Sequence, residues 1–153
     1  MNFLLKSYHQ LSNDELYSIL QLRNEVFVVE QTCAYLDLDG KDQKAFHLMG
    51  FENLKLIAYA RLLPPGISYN ECSIGRVLVA ADHRHNNLGK ALMQHAITNC
   101  LEEFKTSVIV ISAQQYLEKF YTALGFATES DAYLEDDIPH IQMRYTKPTR
   151  HVA

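Results

Sequence analysis

Between residues 74 and 91 the chain reads Ile-Gly-Arg-Val-Leu-Val-Ala-Ala-Asp-His-Arg-His-Asn-Asn-Leu-Gly-Lys-Ala, a branched strand, a short polar loop and the opening of a helix. A helix start leaves several backbone N–H groups without intrahelical partners, and its dipole favours negative charge at that end. Asn87 and Gly89 accept unusual backbone angles, and Gly89 lets a ligand approach the main chain closely. Such a loop suits a pyrophosphate, with Arg84 and Lys90 as nearby cations. On backbone physics alone, a solvated loop with incidental basic residues fits equally well. The usual nucleotide signatures are missing, since neither G-x-x-x-x-G-K-[ST] nor G-x-G-x-x-G occurs.

Other reactive residue types give weaker signals. Cys33, Cys72 and Cys100 are odd in number and lack C-x-x-C spacing, so buried reduced thiols are expected rather than disulfides or zinc. The histidines are scattered, and His83 and His85 have no partner ligands near them in sequence, so no metal is expected. Asp37, Asp39, Gly40 and Asp42 have some of the acidic spacing of a calcium loop, but the ligand order and closing Glu are absent. Residues 32–44 are therefore expected to be a polar surface loop turning at Asp39-Gly40.

The elements that would position these residues follow from periodicity. Phe3, Leu4 and Leu5 form a short opening strand. Ser12 and Glu15 form a capping box, and Leu16, Ile19, Leu20, Arg23, Val26 and Phe27 lie on one helical stripe interrupted only by Arg23. The run Val26-Phe27-Val28-Val29 is expected to mark a fraying end. Segments 46–51 and 54–63 flank Glu52-Asn53 as a β-hairpin, ended by Pro64-Pro65-Gly66. A strand over 73–79, a helix from Leu88 to about Glu102 and a buried-type strand over 108–113 come next. A short helix over 116–124 stops at Gly125, and two strands near 126–131 and 140–145 close the chain. Alternating strands and helices indicate an α/β or α+β sheet covered by helices.

Length and charge narrow the class. At 153 residues, 48% apolar and 21% charged, one domain over 1–153 with its own core is expected. A net charge of −4 disfavours a general nucleic-acid binder. No apolar run approaches the ~20 residues of a membrane span, and the apolar N-terminal stretch is too short for a secretory signal, so the chain is expected to be cytoplasmic.

The segment Val79-Ala80-Ala81-Asp82-His83-Arg84-His85-Asn86-Asn87-Leu88-Gly89-Lys90-Ala91-Leu92 resembles the signature of the GNAT acyltransferases, a strand followed by [Q/R]-x-x-G-x-[G/A] opening a long helix. Phe120-Tyr121-Thr122-Ala123-Leu124-Gly125-Phe126 resembles their second signature, an aromatic pair followed by L-G-F. Val26 to Gln31, Leu38-Asp39-Gly40, Ile74-Gly75-Arg76-Val77 and the stretch 135–141 are similar to the ElaA-type branch, so the resemblance covers nearly the whole chain. Asn87 departs from the pattern by standing where most GNAT sequences have the first loop Gly. Asn reaches left-handed angles more readily than most residues, so the exchange is expected to be tolerated.

The resemblance implies a mixed, mostly antiparallel sheet with splayed central parallel strands, helices on both faces, and acetyl-coenzyme A as co-substrate. It implies that Val77, Leu78 and Val79 lend backbone groups to the pantetheine arm. Arg84, His85, Asn86, Asn87, Leu88, Gly89, Lys90 and Ala91 would hold the pyrophosphate, and Gln114 would contact the cofactor. Tyr121 is the implied general acid, donating a proton or hydrogen bond to the departing sulfur. Glu30, His47, Glu71 and His140 are candidates for a base, and spacing does not rank them. The acidic stretch from Glu129 to His140 would border the acceptor mouth and favour a cationic amine, whether small molecule or peptide. The activity implied is acetyl transfer to a primary amine. The competing reading is a non-catalytic acyl-coenzyme A sensor or interaction module, and a homodimer stays open.

Overall fold

The computed structural model describes residues 1–149. It opens with strand β1 (Asn2–Ser7) and helix α1 (Asn13–Arg23). The capping box forms as expected: the Glu15 amide donates to Ser12 Oγ at 3.0 Å, and the Ser12 amide donates to Glu15 Oε1 at 2.8 Å. The chain then does not fray. It continues as a π-helical stretch over Asn24–Glu30, because Val26 is buried and Phe27 packs on the core. Burial holds the backbone where β-branched propensity alone predicts loosening.

Strands β2 (Phe46–Glu52) and β3 (Lys55–Leu63) form the expected hairpin. Its turn residues, Asn53 and Leu54, both take positive φ, 49° and 68°, as a type I′ turn requires. Leu54 is 97% exposed and so gains nothing from its side chain. Leu54→Gly is expected to raise the unfolding free energy by about 0.5–1 kcal/mol by relieving the left-handed strain. A urea titration checks this, and a loss of stability would show that the turn is not strained.

Strand β4 (Cys72–Val79), helix α2 (Leu88–Phe104), strand β5 (Val108–Gln114) and helix α3 (Glu118–Ala123) follow. The chain ends with β6 (Phe126–Thr128), β7 (Tyr133–Glu135) and β8 (Ile138–Thr146). The strands run β1-β2-β3-β4-β5-β8-β6 across one sheet, with β7 paired to β8. Among the described residues all pairings are antiparallel except β4 with β5, which bears out the mixed, mostly antiparallel expectation.

β3 is buried from Leu56 to Leu63, as a strand covered on both faces must be. Tyr59 meets α1, with the Arg23 guanidinium 5.9 Å from its ring centroid. Ala58 lies on the opposite face beside Gly50 and Phe3, and Phe3 stacks on His95 of α2. Cys72 and Cys100 are buried free thiols and Cys33 is half-buried.

Two features at the sheet centre shape the site. β4 and β5 pair only at Cys72 with Ile109 and Ser73 with Val110, and then part. On its other side β4 carries a bulge: Tyr59 faces Leu78 and Arg61 faces Gly75, leaving Arg76 and Val77 opposite Ala60 alone. Arg76 takes φ 50° there, which aims its side chain at the 32–44 loop.

That loop corrects the polar-surface expectation. Gly40 does turn at φ 77°, but Asp37 and Asp42 are buried. The wholly buried Arg23 donates to Asp37 Oδ2 at 2.8 Å and Asp42 Oδ1 at 2.7 Å. Arg61 donates to Asp42 at 2.9 Å and to both oxygens of Asp39, at 2.8 and 2.7 Å. Arg76 donates to Asp37 Oδ1 at 2.7 Å. Three guanidinium groups and three carboxylates thus fasten the loop to α1, β3 and β4. Ions this deep persist because each is paired and hydrogen-bonded.

The chain end also differs from expectation. β6 stops at Thr128, and β7 is an additional strand returning to β8 through Asp136 and Asp137 at φ 50° and 63°. Asp tolerates such angles, so the acidic pair makes a tight turn inside what reads as a charged loop.

Candidate functional site

Where β4 and β5 separate, a cavity of about 980 Å³ opens. Its walls include Val77, Leu78 and Val79 from β4, Ser112 and Gln114 from β5, and Gly89 at the start of α2. Beyond Ser73 the β5-facing edge of β4 has no strand partner, so its backbone groups face the opening.

At one end lies the 80–91 loop. Asn87 is the N-cap of α2 at φ 53°, in the left-handed region, and its side chain makes no capping hydrogen bond. The first amide to find a helical acceptor is that of Ala91, which donates to the Asn87 carbonyl at 3.1 Å. The amides of Leu88, Gly89 and Lys90 therefore have no protein acceptor among the described residues. A Cβ on Gly89 would meet only Phe120, at 3.7 Å, so the fold itself tolerates a side chain there. The open helix start and bare main chain fit an anionic group such as a diphosphate.

The other loop residues divide. His85 and Asn86 are exposed and Lys90 is exposed on the helix surface, whereas the Leu88 side chain is part of the core. Arg84 is not a free cation: its Nε donates to the Val79 carbonyl at 2.9 Å and its Nη2 to Glu30 Oε2 at 2.7 Å. Gln114 lines the cavity and donates to Gln31 Oε1 at 3.4 Å.

Tyr121 sits in the cavity wall, 7% exposed, edge-on to Phe120 and Phe126. Burial, with a smaller effect of Tyr116, pushes its phenol up to about 12. Its hydroxyl has no hydrogen-bond partner among the described residues, which leaves it available to a ligand.

The four candidate bases separate clearly. His47 is fully buried, with Nδ1 2.7 Å from the Tyr59 hydroxyl and Nε2 2.9 Å from the Asp42 carbonyl, and burial pushes its pKa down. Glu71 accepts from Arg144 at 2.9 Å and lies outside the cavity wall. Glu30 is paired with Arg84. His140 lines the cavity beside Glu135.

The acidic stretch is likewise split. Glu129 is taken up by Arg144 at 2.7 Å and Gln142 at 2.6 Å. Glu135 and Asp136 line the cavity; Asp39 lines it too, but both of its oxygens are held by Arg61. Sequence reasoning passed over Ser112, Tyr133 and Tyr69, which gather around Glu135. Tyr133 donates to Ser112 Oγ at 2.6 Å, and Ser112 donates to Glu135 Oε2 at 2.9 Å. Burial, helped by Tyr133 and Glu135, pushes the Tyr69 phenol up to about 12. The available signal was Ser112 itself, a hydroxyl interrupting the run 108–113.

The chain and its fold have known relatives. A family model described as "Acetyltransferase (GNAT) domain" matches residues 8–147. A UPF0039 protein of Schizosaccharomyces pombe is 46% identical over 94% of this chain and 96% of its own. Protein ElaA of Escherichia coli is 39% identical over 89% of this chain and 90% of its own, and its crystal structure superposes with a TM-score of 0.88. The crystal structure of an acyl-CoA N-acyltransferase from Pseudomonas aeruginosa superposes with a TM-score of 0.90 at 40% identity, covering 95% of this chain and 99% of that one.

Proposed function

Because the chain belongs to the GNAT acetyltransferase family, we propose that it moves an acetyl group from acetyl-coenzyme A directly to a primary amine. The observation that carries this reading is one continuous cavity linking the unpartnered amides of α2, the open edge of β4, the Tyr121 hydroxyl and an acidic rim. Bound coenzyme supplies an acyl carbon activated as a thioester.

In this reading the amides of Leu88, Gly89 and Lys90 receive the diphosphate, with the α2 dipole behind them. Lys90 adds charge, while Arg84 contributes less because Glu30 shares it. Val77, Leu78 and Val79 offer backbone groups to the amide-bearing arm, although Arg84 already occupies the Val79 carbonyl. Gln114 lies where an amide side chain can meet the same arm.

Tyr121 acts on the departing sulfur. A phenol near 12 stays protonated at neutral pH, yet full proton transfer to a thiolate of reference pKa about 8.5 is uphill. Tyr121 therefore donates a hydrogen bond that strengthens as charge builds on sulfur. A hydrogen bond to a charged group contributes about 1.5–3 kcal/mol. Tyr121→Phe is expected to lower kcat about 10–100-fold with little change in KM, measured by thiol release. Full turnover by that variant would remove the assigned role.

Glu135 and Asp136 on the rim favour a cationic acceptor, whereas Asp39 is already neutralised by Arg61. Two measurements test the reading together. Acetyl-coenzyme A should raise the melting temperature, since a ligand bound only by the native state stabilises it by mass action. Thiol release is then expected with spermidine, kanamycin or a lysine-containing tripeptide. A melting shift without release from any amine would leave a binding module, and no shift at millimolar ligand would remove both readings.

A further inference from the structure

Resting on the N-acyl-transfer reading above, we infer that His140 is the general base that deprotonates the acceptor ammonium, with Glu135 as its positioning residue. His140 Nδ1 lies 2.7 Å from the Ile138 carbonyl, an oxygen that only accepts. Nδ1 therefore carries the proton in the neutral ring, and the lone pair is on Nε2. Nε2 is 3.5 Å from Glu135 Oε2, and both residues line the cavity that Tyr121 also lines.

The surroundings hold this arrangement. The imidazole stacks on Tyr133 with 6.3 Å between ring centroids, and its strand is paired with β5, Gln114 facing His140. Tyr133 and Ser112 hand hydrogen bonds on to Glu135, which fixes the carboxylate beside Nε2. The groups shown against the ring are Tyr133 and Glu135 from β7 and the Ile138 carbonyl, with Gln114 of β5 in register; Ser112, Tyr69 and Asp136 line the same cavity. A carboxylate next to an imidazole favours the imidazolium that forms when a proton arrives.

The acceptor R–NH3⁺ gives one proton to His140 Nε2, and the freed lone pair forms the N–C bond at the thioester carbonyl. The carbonyl π pair moves onto oxygen and returns as the C–S bond breaks. The second nitrogen proton goes to the departing sulfur, which Tyr121 hydrogen-bonds, giving amide and free thiol. His140 releases its proton to water through the exposed Glu135 side of the cavity, so turnover yields one proton in all.

The other candidates lack this combination: His47 has both ring nitrogens occupied inside the core, and Glu30 and Glu71 are bound to arginines. The test compares the wild-type chain with His140→Ala and His140→Gln, using acetyl-coenzyme A and the same three amines over a pH series. At neutral pH both variants are expected to lose about 100-fold in kcat/KM, within the range for general base catalysis. The loss should shrink toward about pH 10, where amines of the lysine type deprotonate without help. Added imidazole should restore part of the activity of His140→Ala. Glu135→Gln is expected to lower the rate at neutral pH while leaving the high-pH rate unchanged.

An unchanged melting shift with acetyl-coenzyme A in each variant shows that the fold and the cofactor cleft survive. A variant profile that superimposes on the wild-type profile, or a loss of the same size at every pH, overturns the base while the acyltransferase reading stands. Absence of thiol release from the wild-type chain with every amine overturns the reading itself and the base with it.

Discussion

Asp42→Ala is expected to lower the unfolding free energy by about 3–5 kcal/mol, a large share of what holds a domain of this size together. The carboxylate accepts from Arg23 and from Arg61, at 2.7 and 2.9 Å, and both guanidinium groups are almost wholly enclosed. Removing it leaves two buried cations short of a partner, which costs more than the pair contributed when intact. A urea or guanidinium titration measures the change, and a loss below about 1 kcal/mol would show that water or Asp39 replaces the missing carboxylate.

Acid should reveal the same cluster. Burial pushes the Asp42 carboxyl up, but the hydrogen bonds and charges of Arg23 and Arg61 outweigh it and hold the group below its ordinary value. Asp39 is held well below its ordinary value by Arg61 and Arg76 against the same opposing burial. Unfolded aspartates titrate near about 3.9, so below that pH the unfolded chain binds protons that the native state refuses. The stability from these groups is complete above about pH 5 and falls as the pH drops toward the depressed folded values. The wild-type chain should therefore lose stability more steeply in acid than Asp42→Ala.

This cluster also marks where sequence reasoning reaches its limit. Ser12 with Glu15, the 46–63 hairpin and the loop before Leu88 are local patterns, complete within a few residues, and they form as read. The partners of Asp37, Asp39 and Asp42 lie between 14 and 39 positions away, and no periodicity links them. Arg23, which breaks an otherwise apolar stripe, was the sign that a buried partner existed. Sequence alone gives Arg76 no direction, because the one extra residue of the bulge reverses which face its side chain meets. β7 was hidden because its turn, Asp136-Asp137, lies inside an acidic run, and the approach of Glu135 to His140 depends on that turn.

Gly89→Glu is expected to weaken acetyl-coenzyme A binding about 100–1,000-fold, because like charges brought together cost several kcal/mol. The position makes the result easy to interpret. There is room for a Cβ, with Phe120 the only neighbour, at 3.7 Å. An acidic residue in the first turn of a helix favours the helix dipole by about 0.3–1 kcal/mol. The unliganded variant should thus melt at or above the wild-type temperature while the coenzyme-induced shift disappears. Gly89→Gln has nearly the same shape without the charge and should lose less of the shift than Gly89→Glu, the difference between the two reporting the charge. Undiminished affinity in Gly89→Glu would mean that no diphosphate rests at the start of α2.

The brief contact between β4 and β5 bears on how the sheet moves. With two residue pairs joining them, the meander of β1 to β4 and the group of β5, β6, β7 and β8 meet along a seam that the sheet itself barely closes. Helix α2, which packs on β4 and also reaches β5, bridges the two sides. A molecule wedged in the gap takes the place of the missing rungs, so occupancy of the cleft and rigidity across the whole sheet become a single property.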